Sequence, residues 1–464
     1  MAKFPNVVLV STYDLGHQPY SIALACALVG RMGAKVHCND LAVDELASEE
    51  ILNADLVALH LPMHTATRLA VEVLPRIREL NQRATIVCYG NYAVMNERLL
   101  ISAGVNVVLG VEAETALADL CRTPFAVAQS TALNSLVPQR QRYVLPDRTG
   151  LAELSRYSHL IPPNGVPKLA GYTESTRGCK HFCKHCPVVP GYEGRFFAVD
   201  RDLVVKDVEQ QVEMGAEHIT FGDPDFFNGP KHGVRIIEML SKKHPNVTYD
   251  VTIKVEHLLR HQELLPILKE KGCLFVTTAV ESFDDQILKI LGKGHTRADF
   301  AKVVEICSKL NLHLVPTFVA FTPWTTRKTY LDFLRQIVHF DLVSRVPAVQ
   351  YSLRLLVPRG SLMLGQDAFR GFVGSYNPDG LSYTWSYQES TMGAFEARIG
   401  SAVETFVEAG VPAADAFSQL WEFAHNENQL SAPALNLNTA LLMPSMSEPW
   451  YCCSEPTKAQ LSGL

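Results

Sequence analysis

Arg177-Gly178-Cys179-Lys180-His181-Phe182-Cys183-Lys184-His185-Cys186-Pro187 follows directly on a strand-like run and places three cysteines at C-x3-C-x2-C spacing. Thiolates so spaced can converge on three irons of a four-iron, four-sulfur cluster and leave the fourth iron open to another ligand. A cluster used only for electron transfer needs a fourth cysteine nearby, and the next along the chain is Cys273. The competing reading is a structural zinc knot, which calls for four tetrahedral ligands, often as paired C-x2-C units.

The 464 residues exceed what one core serves, so two or three domains are expected. A hydrophobic fraction of 47% with 19% charged residues is that of an ordinary globular protein. The net charge of -6, with no basic block, argues against nucleic acid as a partner. No apolar run approaches the roughly 18 to 20 residues of a membrane span, and the N-terminus lacks the pattern of a signal peptide. The expectation is a cytoplasmic protein with no membrane partner. The 11 cysteines fit a reducing compartment better than a disulfide framework, and Cys26, Cys38, Cys88, Cys121, Cys273 and Cys307 read as buried structural thiols.

Residues 5 to about 122 alternate short apolar runs (Val7 to Val10, Lys35 to His37, Leu56 to His60, Thr85 to Tyr89, Val105 to Leu109) with helical patterns. Such alternation demands right-handed crossovers and a parallel sheet covered on both faces. The expected fold class is α/β, with an N-terminal doubly wound (Rossmann/flavodoxin-like) domain at 1–122. Ligands of that fold sit beyond the carboxyl ends of the strands, where Ser11 to His17 fall. Prolines loosen 123–165 into a connector. Residues 166–363 alternate strand and helix again, with strands expected at Gly171 to Ser175, His218 to Phe221, Thr248 to Lys254, Leu274 to Ala279, His313 to Phe318 and Ala348 to Leu355. Residues 364–464 read as a mainly helical C-terminal region, clearest at Ala394 to Ala409 and Ala413 to His425.

The three-cysteine loop resembles the signature of the radical S-adenosylmethionine (SAM) superfamily, in which the open iron holds the amino and carboxylate groups of SAM and an electron breaks its sulfonium. That resemblance implies a partial (β/α)6 TIM-type barrel for the six strands, a 4Fe-4S cluster on Cys179, Cys183 and Cys186, and SAM as cofactor. The position before the third cysteine is usually aromatic in the family; His185 stands there and can still lie against adenine. Phe221-Gly222-Asp223-Pro224-Asp225-Phe226-Phe227 resembles the strand-two motif near the SAM amino group, with Asp223 the first choice of acceptor and Asp225 the second; an Asp-Pro turn is the alternative. Lys254-Val255-Glu256-His257 is a polar cluster suited to substrate or ribose. Ala279-Val280-Glu281-Ser282, with Leu291 to Thr296 downstream, resembles the ribose-side motif, which gives Glu281 and Ser282 that role. Phe321 to Thr326 departs from the family by lacking its glycine and acid. Arg354 is suited to the SAM carboxylate or, equally, to a structural salt bridge.

The first domain is similar to the cobalamin-binding-like domain of one large branch of the superfamily, through Asn53 to Leu59 and Gly110-Val111-Glu112-Ala113-Glu114-Thr115. The D-x-H-x-x-G motif that supplies a lower cobalt ligand is absent, since Asp14 and His17 have another spacing. Relatives without it include binders and non-binders, so the resemblance leaves cobalamin open. His17, His60 and His64 read equally as ordinary loop-end histidines.

Pro449-Trp450-Tyr451-Cys452-Cys453-Ser454-Glu455-Pro456 resembles the tail that names the CUAEP/CCAEP-tail radical SAM proteins, with Ser454 in place of alanine. Adjacent cysteines in a polar tail are not packing residues, although an exposed pair without a role is the plain alternative. Vicinal thiolates suit trivalent arsenic, and the tail family includes the enzyme that forms the carbon-arsenic bond of arsinothricin. The leading expectation is therefore a radical SAM alkyltransferase that moves the 3-amino-3-carboxypropyl group of SAM to thiol-held arsenite, with Cys452 and Cys453 catalytic and a flavodoxin or ferredoxin as electron donor. The alternatives are a cobalamin-dependent methyltransferase acting on carbon or phosphorus, and a non-catalytic iron-sulfur or metalloid sensor.

Overall fold

Strands that alternate between two apolar faces need a core on each side, and the first domain has both. The computed structural model describes residues 5–121, 138–163, 166–435, 443–448 and 454–462; Cys452 and Cys453 lie outside the described residues. Strands β1 (Asn6–Ser11), β2 (Lys35–Asp40), β3 (Leu56–His60), β4 (Thr85–Tyr89) and β5 (Val107–Leu109) form a parallel sheet in the order β2-β1-β3-β4-β5. Val7 and Leu9 of β1 pack with Ile22, Leu24 and Leu28 of helix α1 (Tyr20–Gly30), while Val8 and Val10 pack with Val73, Leu74 and Ile77 of the helix His64–Leu80. The period of two thus divides one strand between two cores.

A second sheet has seven strands in the order β13-β12-β11-β10-β7-β6-β16. Its curled part is five parallel strands, β7 (Lys168–Thr173), β10 (His218–Phe221), β11 (Thr248–Thr252), β12 (Cys273–Glu281) and β13 (His313–Phe318). A hairpin of β8 (Thr176–Gly178) and β9 (Phe196–Ala198) stands at its rim. Helices return the chain between strands, and several are started by their own side chains: Asp200 accepts from Asp202 and Leu203, and Thr296 and Thr326 each form a capping box.

Three sequence expectations change. The sixth barrel strand is reduced to one bridge between Phe321 and Arg354, because Ala348–Tyr351 turns as a 3-10 helix directly after Pro347. The C-terminal region carries helices Met392–Glu408 and Ala413–Glu427, but also a hairpin of β14 (Val373–Asn377) and β15 (Ser382–Trp385), joined through Pro378, Asp379 and Gly380. The connector and the C-terminal segment both join the barrel sheet: β6 (His159–Ile161) pairs antiparallel with β7, and β16 (Ser445–Met446) pairs with β6. Among the described residues no helix is long and apolar enough to cross a membrane.

Arg148 ties these layers together. Its buried guanidinium donates to both carboxylate oxygens of Asp207 at 2.8 and 2.9 Å, to Gln18 of the first domain at 2.7 Å and to the Tyr172 carbonyl of β7 at 2.8 Å. Removing one member of such a buried pair leaves a stranded charge, at a cost of about 3–5 kcal/mol. Arg148→Ala is expected to lower the denaturation midpoint by that order, while Arg156→Ala, whose pairing with Asp44 is exposed, shifts it little.

Candidate active site

The three cysteines occupy a loop that the fold pins at every side. Its base is closed by the β8–β9 pairing of Gly178 with Phe196. Gly178 has φ +80, and a Cβ there would come within 2.6 Å of the Arg195 carbonyl oxygen, so only glycine fits before Cys179. Asn228 donates from Nδ2 to the Gly178 carbonyl at 3.2 Å and accepts the Lys180 amide at 3.3 Å. Lys184 donates its amide to Leu291 at 2.8 Å, and Asn91 of the first domain donates to the Pro187 carbonyl at 2.7 Å.

Within this frame Cys183 is buried and Cys179 and Cys186 are half-buried. Burial, with the neighbouring thiol of Cys183, pushes Cys179 up to about 11 and Cys186 up to about 12. An iron-sulfur core takes its cysteines as thiolates and balances their charge. Cys273 opens β12 at the amino end of the parallel strands, whereas the loop stands at their carboxyl ends, so it is no fourth ligand. The donor set fits a cluster with one open iron.

The carboxyl ends of the strands supply the walls. Glu281 ends β12 with φ +70, just after a register shift, which is strained backbone of the kind found at working sites. Its Oε1 meets His185 Nε2 at 3.0 Å and Lys293 Nζ at 3.2 Å. Burial would raise Glu281, but Lys293 and His185 hold it at about 2. Lys293 also lies close enough to Cys183 and Cys186 to feel their charge. Ser282 accepts the Asp284 amide at 3.0 Å and, with Glu281, lines a cavity of about 360 Å3.

Asp223 is held by donors of the protein itself. It accepts from the amide and hydroxyl of Ser175 and of Thr176 at 2.6–2.8 Å, which leaves the carboxylate committed to the turn before the cysteine loop. Asp225 is likewise engaged, 2.7 Å from His257 Nδ1 and 3.4 Å from His181 Nε2, and it accepts the Phe227 amide. Arg354 stacks on Trp385 and reaches Glu396 at 3.5 Å, with half its side chain exposed, contacts of the kind the salt-bridge alternative names. Sequence reasoning passed over Lys293, although Leu291 to Thr296 was singled out, because nothing in a lone lysine shows which carboxylate it meets. His181 was quoted within the cysteine stretch without a role for the same reason.

Arg177, two residues before Cys179, is buried among three carboxylates. Its nitrogens lie 2.8 Å from Glu174, 3.0 Å from Glu114 and 3.3 Å from Glu112. Tyr192 donates to Glu112 at 2.9 Å. Burial raises Glu174 to about 7, while Arg177 overcomes the same burial at Glu114 and holds it at about 2.

Glu281→Gln strands the Lys293 ammonium and is expected to cost about 3–5 kcal/mol of stability. Because the folded value of Glu281 lies below its ordinary 4.5, its contribution is complete above that pH. The deficit of the variant, read from denaturation midpoints, should be full at neutral pH and narrow as pH falls from 4.5 towards 2.

Comparison with known proteins agrees with this geometry. A model of the radical SAM superfamily matches residues 173–336. An uncharacterized methyltransferase of Pyrococcus horikoshii is 25% identical over 166 residues, 36% of this chain and 35% of that protein. A tRNA-2-methylthio-N(6)-dimethylallyladenosine synthase of Fusobacterium nucleatum is 29% identical over 189 residues, 36% of this chain and 40% of the relative. The chain thus spans well under half the length of these curated relatives. Among solved structures, the methyltransferase TsrM of Kitasatospora setae, with tryptophan and a SAM analogue bound, superposes with a TM-score of 0.63 at 15% identity, over 86% of this chain and 88% of that one. OxsB, with aqua-cobalamin and SAM bound, gives 0.64 at 15% identity, over 92% and 71%. These two share the fold of nearly the whole chain. The residues that match the radical SAM model, 173–336, include the three-cysteine loop and the polar ends of β10 to β12.

Proposed function

We propose that the protein is a radical SAM alkyltransferase that moves the 3-amino-3-carboxypropyl group of SAM to arsenite held by thiols. The observation that carries the acceptor is the adjacent pair Cys452-Cys453, soft donors suited to trivalent arsenic, in a tail that resumes at Ser454 and Glu455 on the first domain. Cys179, Cys183 and Cys186 hold the cluster. Cluster and SAM, when bound, supply reductive cleavage of a sulfonium carbon-sulfur bond. Glu281 and Ser282 are suited to ribose hydroxyls, and the His185 ring, held by Glu281, to adenine. Lys293 balances the charge of the cysteine loop. The reductant is a small electron-transfer protein such as a flavodoxin or ferredoxin.

A second reading, a cobalamin-dependent methyltransferase on carbon or phosphorus, is supported by the likeness to TsrM and OxsB and by the curated methyltransferase relatives. Product analysis separates the readings. Reduced enzyme with SAM and arsenite is expected to give methylthioadenosine and an aminocarboxypropyl arsenical; 5'-deoxyadenosine and S-adenosylhomocysteine formed only with added cobalamin would establish the second. Absence of any SAM cleavage in the reduced protein would favour a sensor.

Alanine at Cys179, Cys183 or Cys186 is expected to abolish the cluster, read by iron content and absorbance; a normal cluster in any one variant overturns its assignment. Changing Cys452 and Cys453 together to serine keeps side-chain size and removes the soft donors. That double variant should retain iron and SAM binding while arsenical formation collapses, and undiminished turnover would remove the tail from the acceptor site.

A further inference from the structure

A doubly wound domain ordinarily seats its ligand in the crevice beyond the carboxyl ends of its strands. Here each of the five strand ends is met by the chain itself. After β1, the Gly16 carbonyl accepts the Ser158 amide at 2.7 Å, and a Cβ on Gly16 would lie 2.8 Å from Glu448 Oε2. After β2, Arg156 from the connector pairs with Val43 and Asp44. After β3, Thr65 donates from Oγ1 to the Ser454 carbonyl at 2.7 Å, while Glu455 reaches His64 Nε2 at 2.9 Å and Arg68 Nε at 3.0 Å. After β4 comes the contact of Asn91 with Pro187, and after β5 the carboxylates of Glu112 and Glu114 close on Arg177.

The space that remains is divided. The cavity between the ends of β3 to β5 and the cysteine loop holds about 150 Å3, against roughly 300–1,000 Å3 for pockets that take drug-sized ligands, and a corrin with its nucleotide loop is larger than such ligands. A second cavity of about 490 Å3 lies at the ends of β1 and β2, and Ser447, Glu448 and Gln460 of the C-terminal segment form part of its wall. The imidazoles at this edge lie against tyrosines: His17 stacks on Tyr172 at 4.9 Å between ring centres, and His60 meets Tyr89 at a tilt, 5.0 Å between centres. The residues present do not fit a corrin.

We propose that the doubly wound domain is the seat of the chain's own C-terminal segment, with Ser447–Glu448 and Ser454–Glu455 in the crevice that a corrin would need, and that the protein works without cobalamin. The seat is specific for an acid. Glu455 meets two donors one helical turn apart, at the first turn of the helix His64–Leu80, where the helix dipole also favours negative charge. The short strand β16 fixes the approach of the segment, because the Ser447 amide continues its pairing by donating to the His159 carbonyl at 2.8 Å.

The test uses full-length, anaerobically reconstituted protein. Hydroxocobalamin is added, unbound corrin is removed by desalting, and cobalt and corrin absorbance are measured per chain. No retained corrin is expected; near-stoichiometric corrin overturns the proposal. In parallel, hydrogen exchange of the peptide covering 454–462 is compared between the parent and the variants Glu455→Gln and Arg68→Ala. Exchange about tenfold faster in each is expected from loss of a charge-assisted hydrogen bond. Unchanged exchange in both variants overturns the seat, and iron content confirms that each has folded. These readouts do not involve the acceptor: a corrin-free protein that fails to alkylate arsenite leaves this inference standing, and one that forms the arsenical with corrin bound removes only this inference.

Discussion

The buried cation of Arg177 is the constraint on which the rest of the structure depends. A guanidinium out of water is tolerable only with close anionic partners, and its three are drawn from both domains: Glu174 from the end of β7, Glu112 and Glu114 from the loop after β5. The backbone two residues further on must then follow, through a glycine that no other residue could replace, into Cys179. The first domain is thus part of the scaffold of the cysteine loop. Asn91 adds a second contact from the same domain to the far end of that loop, at Pro187.

The same logic explains why the polar motifs at the strand ends divide into two kinds. Asp223 and Asp225 face donors that belong to the protein, so their negative charge builds the mouth of the barrel and holds the cysteine loop by way of Ser175, Thr176 and His181. Glu281 faces a histidine of the loop and a lysine of the next turn, and unlike Asp223 and Asp225 it carries positive φ. Its backbone strain is compensated by the buried ion pair, which marks the β12 end as the place where precise positioning outweighs local comfort.

Much of this was legible in the sequence, for identifiable reasons. The parallel sheets follow from apolar runs spaced by helical patterns, and the cysteine loop announces itself because three thiols at fixed spacing have few structural uses. The failures share a cause. Ala348 to Leu355 has the apolar character of a strand, yet Pro347 sets a turn and Ala348–Tyr351 packs against the helices Met392–Glu408 and Ala413–Glu427, a tertiary demand that no local pattern displays. Asp223 follows a barrel strand, where an acid usually faces the mouth, and the four donors it meets sit nearly fifty residues away in the chain. Lys293 and Arg177 were invisible for the same reason, since the meaning of a buried charge lies in its partners.

The seating of the C-terminal segment gives the two halves of the chain a common purpose. A corrin and a pair of thiols are both soft centres able to stand beside an open iron, and a doubly wound domain placed over a barrel mouth can present either. In this chain the connector, the cysteine loop and residues 443–448 and 454–462 already meet all five strand ends. Glu455 lies only two residues beyond Cys453 in sequence, and its pairing with His64 and Arg68 anchors that point of the chain. An acid serves this purpose better than an apolar anchor would. It binds through directional contacts at the surface of a helix end and leaves the apolar cores of the first domain closed.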